Sequence, residues 1–374
     1  MRYYLIAGEA SGDLHGSNLL KGLIAEDADA QIRFWGGAMM EAVGGAKVKD
    51  YRDTAVMGLG DVISNLGKIR RNLRKCKDDI LEWKPDVVIL IDYPGFNMKI
   101  ARFCHEKGIR VFYYIAPKTW ASREGRNRKL KAWVDRLFIV FPFEIPYFSE
   151  KGVPFIYKGN PLIDAVDGHA YSRPTEKEYI AILAGSRKGE IARTMPKAMQ
   201  MADRLHALPQ FADYEFIVAG APARSEDDYS RHIAGRPYVK LVFGRTYDVL
   251  KYAGAALVNS GTASLEAALI GTPQVVCWST SLVTALAGKY LLRVLDHIKY
   301  ISLGNLILDK PAFLELIQYD FTPEAAGDEI RRLIEDRPYR DAMLADYAQI
   351  RKSLGGSGAS RAVAKAMTDR LKEA

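Results

Sequence analysis

Cysteine is scarce in this chain. Three residues (Cys76, Cys104, Cys277) are spread over 374 positions. Their odd number and wide spacing exclude a disulfide framework and the paired ligands of a structural zinc site, and favour a reducing, cytoplasmic compartment. The six histidines are scattered, and there is no G-x-S-x-G elbow, so zinc-hydrolase and serine-hydrolase readings find no support. The dinucleotide fingerprint G-x-G-x-x-G is also absent from the first loop, whose glycines fall at 8, 12 and 16. Long hydrophobic runs are missing too. "VVILI" and "LFIVF" are the longest, strand-sized and far short of a membrane span. With a strand starting at residue 3, no signal peptide is expected. No short-period repeat or low-complexity block occurs.

What is present is the composition of a soluble globular protein: 48% hydrophobic, 26% charged and a mean hydropathy of −0.12. The length allows roughly two to three domains. A net charge of +8 favours an anionic partner, which on charge alone leaves nucleotide, phospholipid surface and nucleic acid open. Short runs such as "YYLIAG", "DVVILID", "RVFYYIA" and "RLFIVF" alternate with helical patterns, the signature of a parallel sheet covered on both faces. The rhythm breaks at about 159–178 and restarts with "YIAILAG", "YEFIVAGAP", "YVKLVFG", "AALVNSG" and "PQVVCW". The expected architecture is α/β, with two Rossmann-like domains (1–168 and 176–340) facing a cleft and terminal helices over 341–374. Ligands of such sheets sit at the carboxyl ends of the strands.

Five segments carry chemistry. The first, "GEASGDLHG", places Glu9, Ser11 and Asp13 where a pyrophosphate-binding turn would keep bare backbone. Asp13 reads as a helix cap or as a hydroxyl-binding acid. The second puts Asp92 at the end of the apolar run Val87–Ile91. It reads as a turn former or as a general base, its pKa raised by partial desolvation. The third, Gly185-Ser186-Arg187, opens a helix with groups suited to a phosphate. The fourth, "NSGTASLEAAL", turns Ser260-Gly261-Thr262 into a helix start that suits a diphosphate. Glu266, one turn on, is placed for ribose hydroxyls. The fifth is an amphipathic helix near 62–77, with Val62, Ile63, Leu66, Ile69 and Leu73 at helical spacing and Arg70, Arg71 and Arg74 among six basic residues. It reads as a surface for an anionic membrane or as a helix packed on its own sheet. A second basic cluster, including Arg123, follows Trp120; it suits a phosphate on an acceptor or is simply solvated.

Taken together, "AGEASGD", "AVMGL", "KPDVVILIDYPGFN", "YIAPKTWA", "PFE", "GNPLIDA", "LAGSR", "NSGTASLEAAL" and "YISLGNLI" make the chain resemble bacterial lipid-A-disaccharide synthases over nearly its whole length. The resemblance implies a GT-B glycosyltransferase whose C-terminal helices return to the N-terminal domain. It implies an inverting β-1,6 transfer of 2,3-diacylglucosamine from its UDP donor onto 2,3-diacylglucosamine 1-phosphate, releasing UDP at the cytoplasmic face of the inner membrane. Residue by residue it implies Glu9, Asp92, Arg187 and Asn305 as the reaction's central groups. Asn97, Trp120 and Arg123 join Glu9, Ser11 and Asp13 on the acceptor side. No metal, cofactor or nucleic acid is implied, and a homodimer is left open. The chain departs from the family pattern at Gly95, Ala184, Ala116, Lys118 and Ser122; Gly95 leaves Asp92 as the only base in its turn. Two rivals remain: another GT-B enzyme on a UDP-sugar, such as a UDP-N-acetylglucosamine 2-epimerase, and a non-catalytic basic docking protein.

Overall fold

The computed structural model describes residues 1–54, 66–121, 124–280 and 299–373. The chain divides into two compact units. One comprises Met1–Asp167 with Leu354–Ala374, the other Gly168–Ser353.

The first unit is built on a seven-stranded sheet, all of whose pairs are parallel. Its strands are β1 (Arg2–Ala7), β2 (Gln31–Gly36), β3 (Ala46–Asp50), β4 (Val87–Ile91), β5 (Val111–Tyr114), β6 (Arg136–Ile139) and β7 (Phe155–Tyr157). Their order is β3-β2-β1-β4-β5-β6-β7. β4 and β5 are buried at every position, which is why they read as unbroken apolar runs: helices cover both faces. The direction of winding reverses between β1 and β4, paired from Tyr3↔Val87 to Ala7↔Ile91. That reversal splits the two following loops apart and leaves a crevice at the strand ends.

The second unit repeats the plan with β8 (Tyr179–Leu183), β9 (Glu215–Gly220), β10 (Val239–Phe243), β11 (Ala255–Asn259), β12 (Gln274–Trp278) and β13 (Glu315–Ile317). The order is β10-β9-β8-β11-β12-β13, so its reversal lies between β8 and β11, paired from Ala255↔Ile180 to Val258↔Leu183.

Three expectations change. The polar stretch after Asn160 contains a helix, Pro161–Asp167, started by proline and by Asn160 Oδ1 accepting from the Leu162 amide at 2.9 Å. The basic helix runs from Leu66 to Trp83, and its apolar stripe faces inward. Cys76 and Ile80 are core residues and Leu73 packs against them, because the face of β1 and β4 needs that cover. Leu73 is therefore not membrane-facing. Ile69 is half-buried, whereas Arg70, Arg71 and Arg74 are exposed. Val62 and Ile63 lie outside the described residues, as does the Leu66 side chain.

The third change concerns the terminal helices. Helix Arg337–Leu354 belongs almost wholly to the second unit, where Tyr347 is buried against Phe313 and Lys310 pairs with Asp346. Only helix Ala359–Lys372 joins the first unit. The break "GGSG" supplies Gly355 and Gly358 at φ +93° and +101°, conformations open to glycine. The Asp164 carboxylate then takes the Gly358 and Ser360 amides. Gly22 lets the last helix press on helix Ala10–Glu26: a Cβ there would lie 2.7 Å from that of Ala364.

Candidate active site

In the first unit, the loops after β1 and β4 carry Glu9 and Asp92. Glu9 is the exposed, extended N-cap residue of helix Ala10–Glu26, and Ser11 lies half-buried in its first turn. Asp92 and Tyr93 form an elbow in which both have left-handed φ, 43° and 48°. For residues bearing a Cβ this costs on the order of 1–2 kcal/mol each. The elbow lays the Tyr93 ring over Gly8, where a Cβ would fall 2.2 Å from the ring. Burial pushes the Tyr93 phenol up, and the charge of Glu9 pushes it further. The two strand ends thus interlock through a glycine and an aromatic ring, with the carboxyl-bearing residues Glu9 and Asp92 on either side.

Two expected acceptor-side residues are spent elsewhere. Asp13 is buried and accepts the amides of Gly37 (2.7 Å), Met39 (3.1 Å) and Met40 (3.1 Å). It caps helix Ala38–Val43, satisfying donors that would otherwise be orphaned. Asn97 is fully buried, and its amide donates to Asp92 O (2.8 Å), Ile91 O (3.2 Å) and Ile6 O (3.4 Å). Trp120 lies at another sheet position, after β5, with its ring edge-on to Phe143 at 5.0 Å. Beside it Glu144 is buried, accepting the Val140 and Phe141 amides at 3.1 and 3.0 Å. Burial pushes the Glu144 carboxyl up to about 7, against the opposing pull of those amides and the Trp120 indole. Arg123 lies outside the described residues.

In the second unit, Gly185-Ser186-Arg187 follows β8 and Ser260-Gly261-Thr262 follows β11, either side of the reversal. Gly185 has φ +106°, and a Cβ on it would lie 2.7 Å from Asn259 Nδ2 and from Glu190 Cβ. The phosphate-binding expectation for the amides of this loop is corrected. Glu190 Oε2 accepts the Ser186 and Arg187 amides at 3.0 and 3.2 Å, and Glu190 Oε1 faces the Arg187 guanidinium at 3.1 Å. An internal carboxylate already holds that anion position, so the exposed guanidinium is the group this loop offers.

Helix Thr262–Ile270 begins at Gly261 with no side-chain cap, presenting backbone donors at its positive end. Ser260 Oγ leans to Ile301 O at 3.4 Å. Glu266 accepts the Tyr247 phenol at 2.9 Å; burial pushes its carboxyl up and that phenol draws it down. Asn305 lies in helix Leu303–Leu308. It is buried, donates to Phe313 O (3.0 Å) and Glu315 Oε1 (2.9 Å), and accepts the Phe313 amide at 3.2 Å. Glu315 in turn holds the Ile301 and Ser302 amides at 3.0 and 2.9 Å. Asn305 therefore braces the loop behind Ser260. Among the described residues, no group of three or more His, Cys, Asp or Glu is placed to hold a metal ion.

The family model described as lipid-A-disaccharide synthetase matches residues 3–367. The chain belongs to the lipid-A-disaccharide synthase family. Curated members include those of Geobacter metallireducens, 36% identical over 99% of this chain and 97% of the relative, and Syntrophus aciditrophicus, 37% identical over 97% and 96%. Solved structures with the same two-unit fold include a Neisseria meningitidis UDP-GlcNAc 2-epimerase bound to UDP-GlcNAc, with a TM-score of 0.67 at 13% identity, covering 99% of this chain and 100% of that one. A calicheamicin glycosyltransferase matches with a TM-score of 0.58 at 15% identity, over 100% and 98%. At such identities the likeness is one of fold, that of GT-B glycosyltransferases and epimerases. Of the motifs that carry the resemblance, those of Glu9 and Asp92 follow β1 and β4, and those of Arg187 and Ser260 follow β8 and β11, beside the two sheet reversals. Sequence reasoning missed Tyr247 and Glu315, for which no local signal exists. It also missed Glu190, whose place three residues after Arg187 is a capping-box spacing.

Proposed function

We propose that the chain is the inverting glycosyltransferase of its family, joining UDP-2,3-diacylglucosamine to 2,3-diacylglucosamine 1-phosphate through a β-1,6 bond and releasing UDP. The observation that carries this is the match to the family over nearly the whole chain, with its acid-bearing and hydroxyl-bearing motifs at the two sheet reversals. Asp92 takes the proton from the acceptor 6-hydroxyl as that oxygen attacks the anomeric carbon, and the bond from that carbon to the diphosphate breaks. Glu9 orients the acceptor's hydroxyls. Arg187, Ser260, Thr262 and the start of helix Thr262–Ile270 meet the charge that develops on departing UDP. Glu266, braced by Tyr247, accepts from the ribose hydroxyls. No metal enters this scheme.

Among the described residues no helix is long and apolar enough to cross a membrane. The acyl chains of both substrates are instead met at a surface. The exposed Arg70, Arg71 and Arg74 of helix Leu66–Trp83 rest on the anionic cytoplasmic face of the inner membrane.

The test is UDP release from the diacylated donor with and without acceptor. Acceptor-dependent release with disaccharide formation is expected, lowered roughly 10²–10⁴-fold by Asp92→Asn. Release that ignores the acceptor would favour an epimerase-like reaction and sink this reading.

A further inference from the structure

Asp92 and Tyr93 are the one consecutive pair of non-glycine residues with left-handed φ among those described. Helix Pro94–Glu106, which follows, does not require it. Helices starting after Glu9, Arg187 and Thr322 all leave an extended N-cap residue, with φ of −145°, −104° and −115°. Strain of this kind persists where the surroundings over-determine it, and here they do. The Asp92 carbonyl oxygen accepts the Tyr113 phenol at 2.6 Å and the Asn97 amide at 2.8 Å, while the Asp92 amide donates to Tyr114 O at 3.0 Å. Asn97 also reaches Ile91 O, the last carbonyl of β4, and Ile6 O, the next to last of β1. Tyr113 and Asn97 are both fully buried, so neither reaches a bound sugar. Burying a phenol in mid-strand is costly unless its hydroxyl is bonded, and this one is spent on the carbonyl of the reacting residue.

We propose that Tyr113 and Asn97 are positioning residues for proton transfer by Asp92. Their joint grip on one carbonyl oxygen holds the elbow left-handed and thereby fixes the direction of the Asp92 carboxylate relative to the acceptor hydroxyl. This rests on the reading of Asp92 as the base. If the grip is lost, the elbow relaxes towards right-handed or extended backbone and the carboxylate turns away, with substrate binding untouched.

The experiment compares full-length wild type, Tyr113→Phe, Asn97→Ser, Asp92→Asn and the double variant Asp92→Asn/Tyr113→Phe in acceptor-dependent UDP release. Tyr113→Phe is expected to lower kcat about ten- to hundred-fold, with both KM values within about two-fold of wild type. The double variant should turn over no more slowly than Asp92→Asn alone, because the clamp acts only through that carboxylate. Unchanged kcat in Tyr113→Phe overturns the proposal. So does an equal loss in both backgrounds, which would mark general packing. Tyr113→Phe removes a single oxygen and keeps the test readable should Asn97→Ser not fold. Full turnover by Asp92→Asn would instead remove the base assignment itself, whatever the clamp variants do.

Discussion

Gly185 and Gly261 stand in similar turns of the second unit, yet their backbones make opposite demands. At Gly185 the φ of +106° and the close Asn259 and Glu190 atoms leave no room for a methyl group. At Gly261 the backbone is extended, with φ 166°, and a Cβ would meet nothing within 4 Å. Gly185→Ala should therefore cost about 1–3 kcal/mol of stability and weaken UDP binding. Gly261→Ala should leave stability within about 0.5 kcal/mol. Urea unfolding and UDP titration of both variants check this. At this scale the sequence was half legible. Glu9, Asp92 and Arg187 stand out in the sequence because acids and arginine just after apolar strands are conspicuous, and the structure places them in the loops after β1, β4 and β8. Asp13, Asn97 and Asn305 carry the same kind of polar groups in the same motifs, but the fold turns them inward onto backbone amides and carbonyls. Nothing in a string of residues gives the direction in which a carboxamide points.

Helix Leu66–Trp83 shows how one periodicity serves two neighbours. Its buried stripe, with Cys76 and Ile80 in the core and Leu73 against it, is fixed by Tyr4 donating to Asp79 at 2.6 Å and by the Arg33–Asp79 pair. The exposed arginines are free of that duty to the core. Replacing Arg70, Arg71 and Arg74 with glutamine should weaken binding to vesicles rich in anionic lipid by about 1 kcal/mol per residue. The unfolding midpoint should hardly move. Co-sedimentation with anionic and zwitterionic vesicles over a range of salt measures this, and equal binding to both would contradict the membrane role. Central strands such as β4 and β8 were readable because burial on both faces demands continuous apolar runs. β2 and β3 were not, since Arg33, Lys47 and Lys49 interrupt them. β7 and β13, three residues each, are too short to carry a pattern.

On the scale of the whole molecule, the segment that leaves the first unit is anchored in the second by one carboxylate. Burial alone would raise the Asp248 pKa, but the Ser172 amide, His169, Arg245 and the Ser172 hydroxyl overcome it and hold the group at about 2, below its ordinary 3.8. A folded-state pKa below the unfolded one contributes stability that is present above about pH 4 and lost as pH falls towards 2. That contribution is about 2 kcal/mol. Asp248→Asn should therefore be less stable than wild type by about that amount at pH 7, and the two should converge as pH approaches 2. Urea midpoints across that range would show it, and a constant difference would contradict it. The two-unit plan was legible in the restart of the strand rhythm at Tyr179. The division of the terminal helices was not, because helix Arg337–Leu354 and helix Ala359–Lys372 differ in what they touch rather than in composition. That division sets an order for synthesis. The segment from Leu354 onward that completes the first unit leaves the ribosome only after all of the second. Until then helix Ala10–Glu26 displays the groove around Gly22 uncovered, so a nascent chain carries its earliest-made domain as its last-finished one.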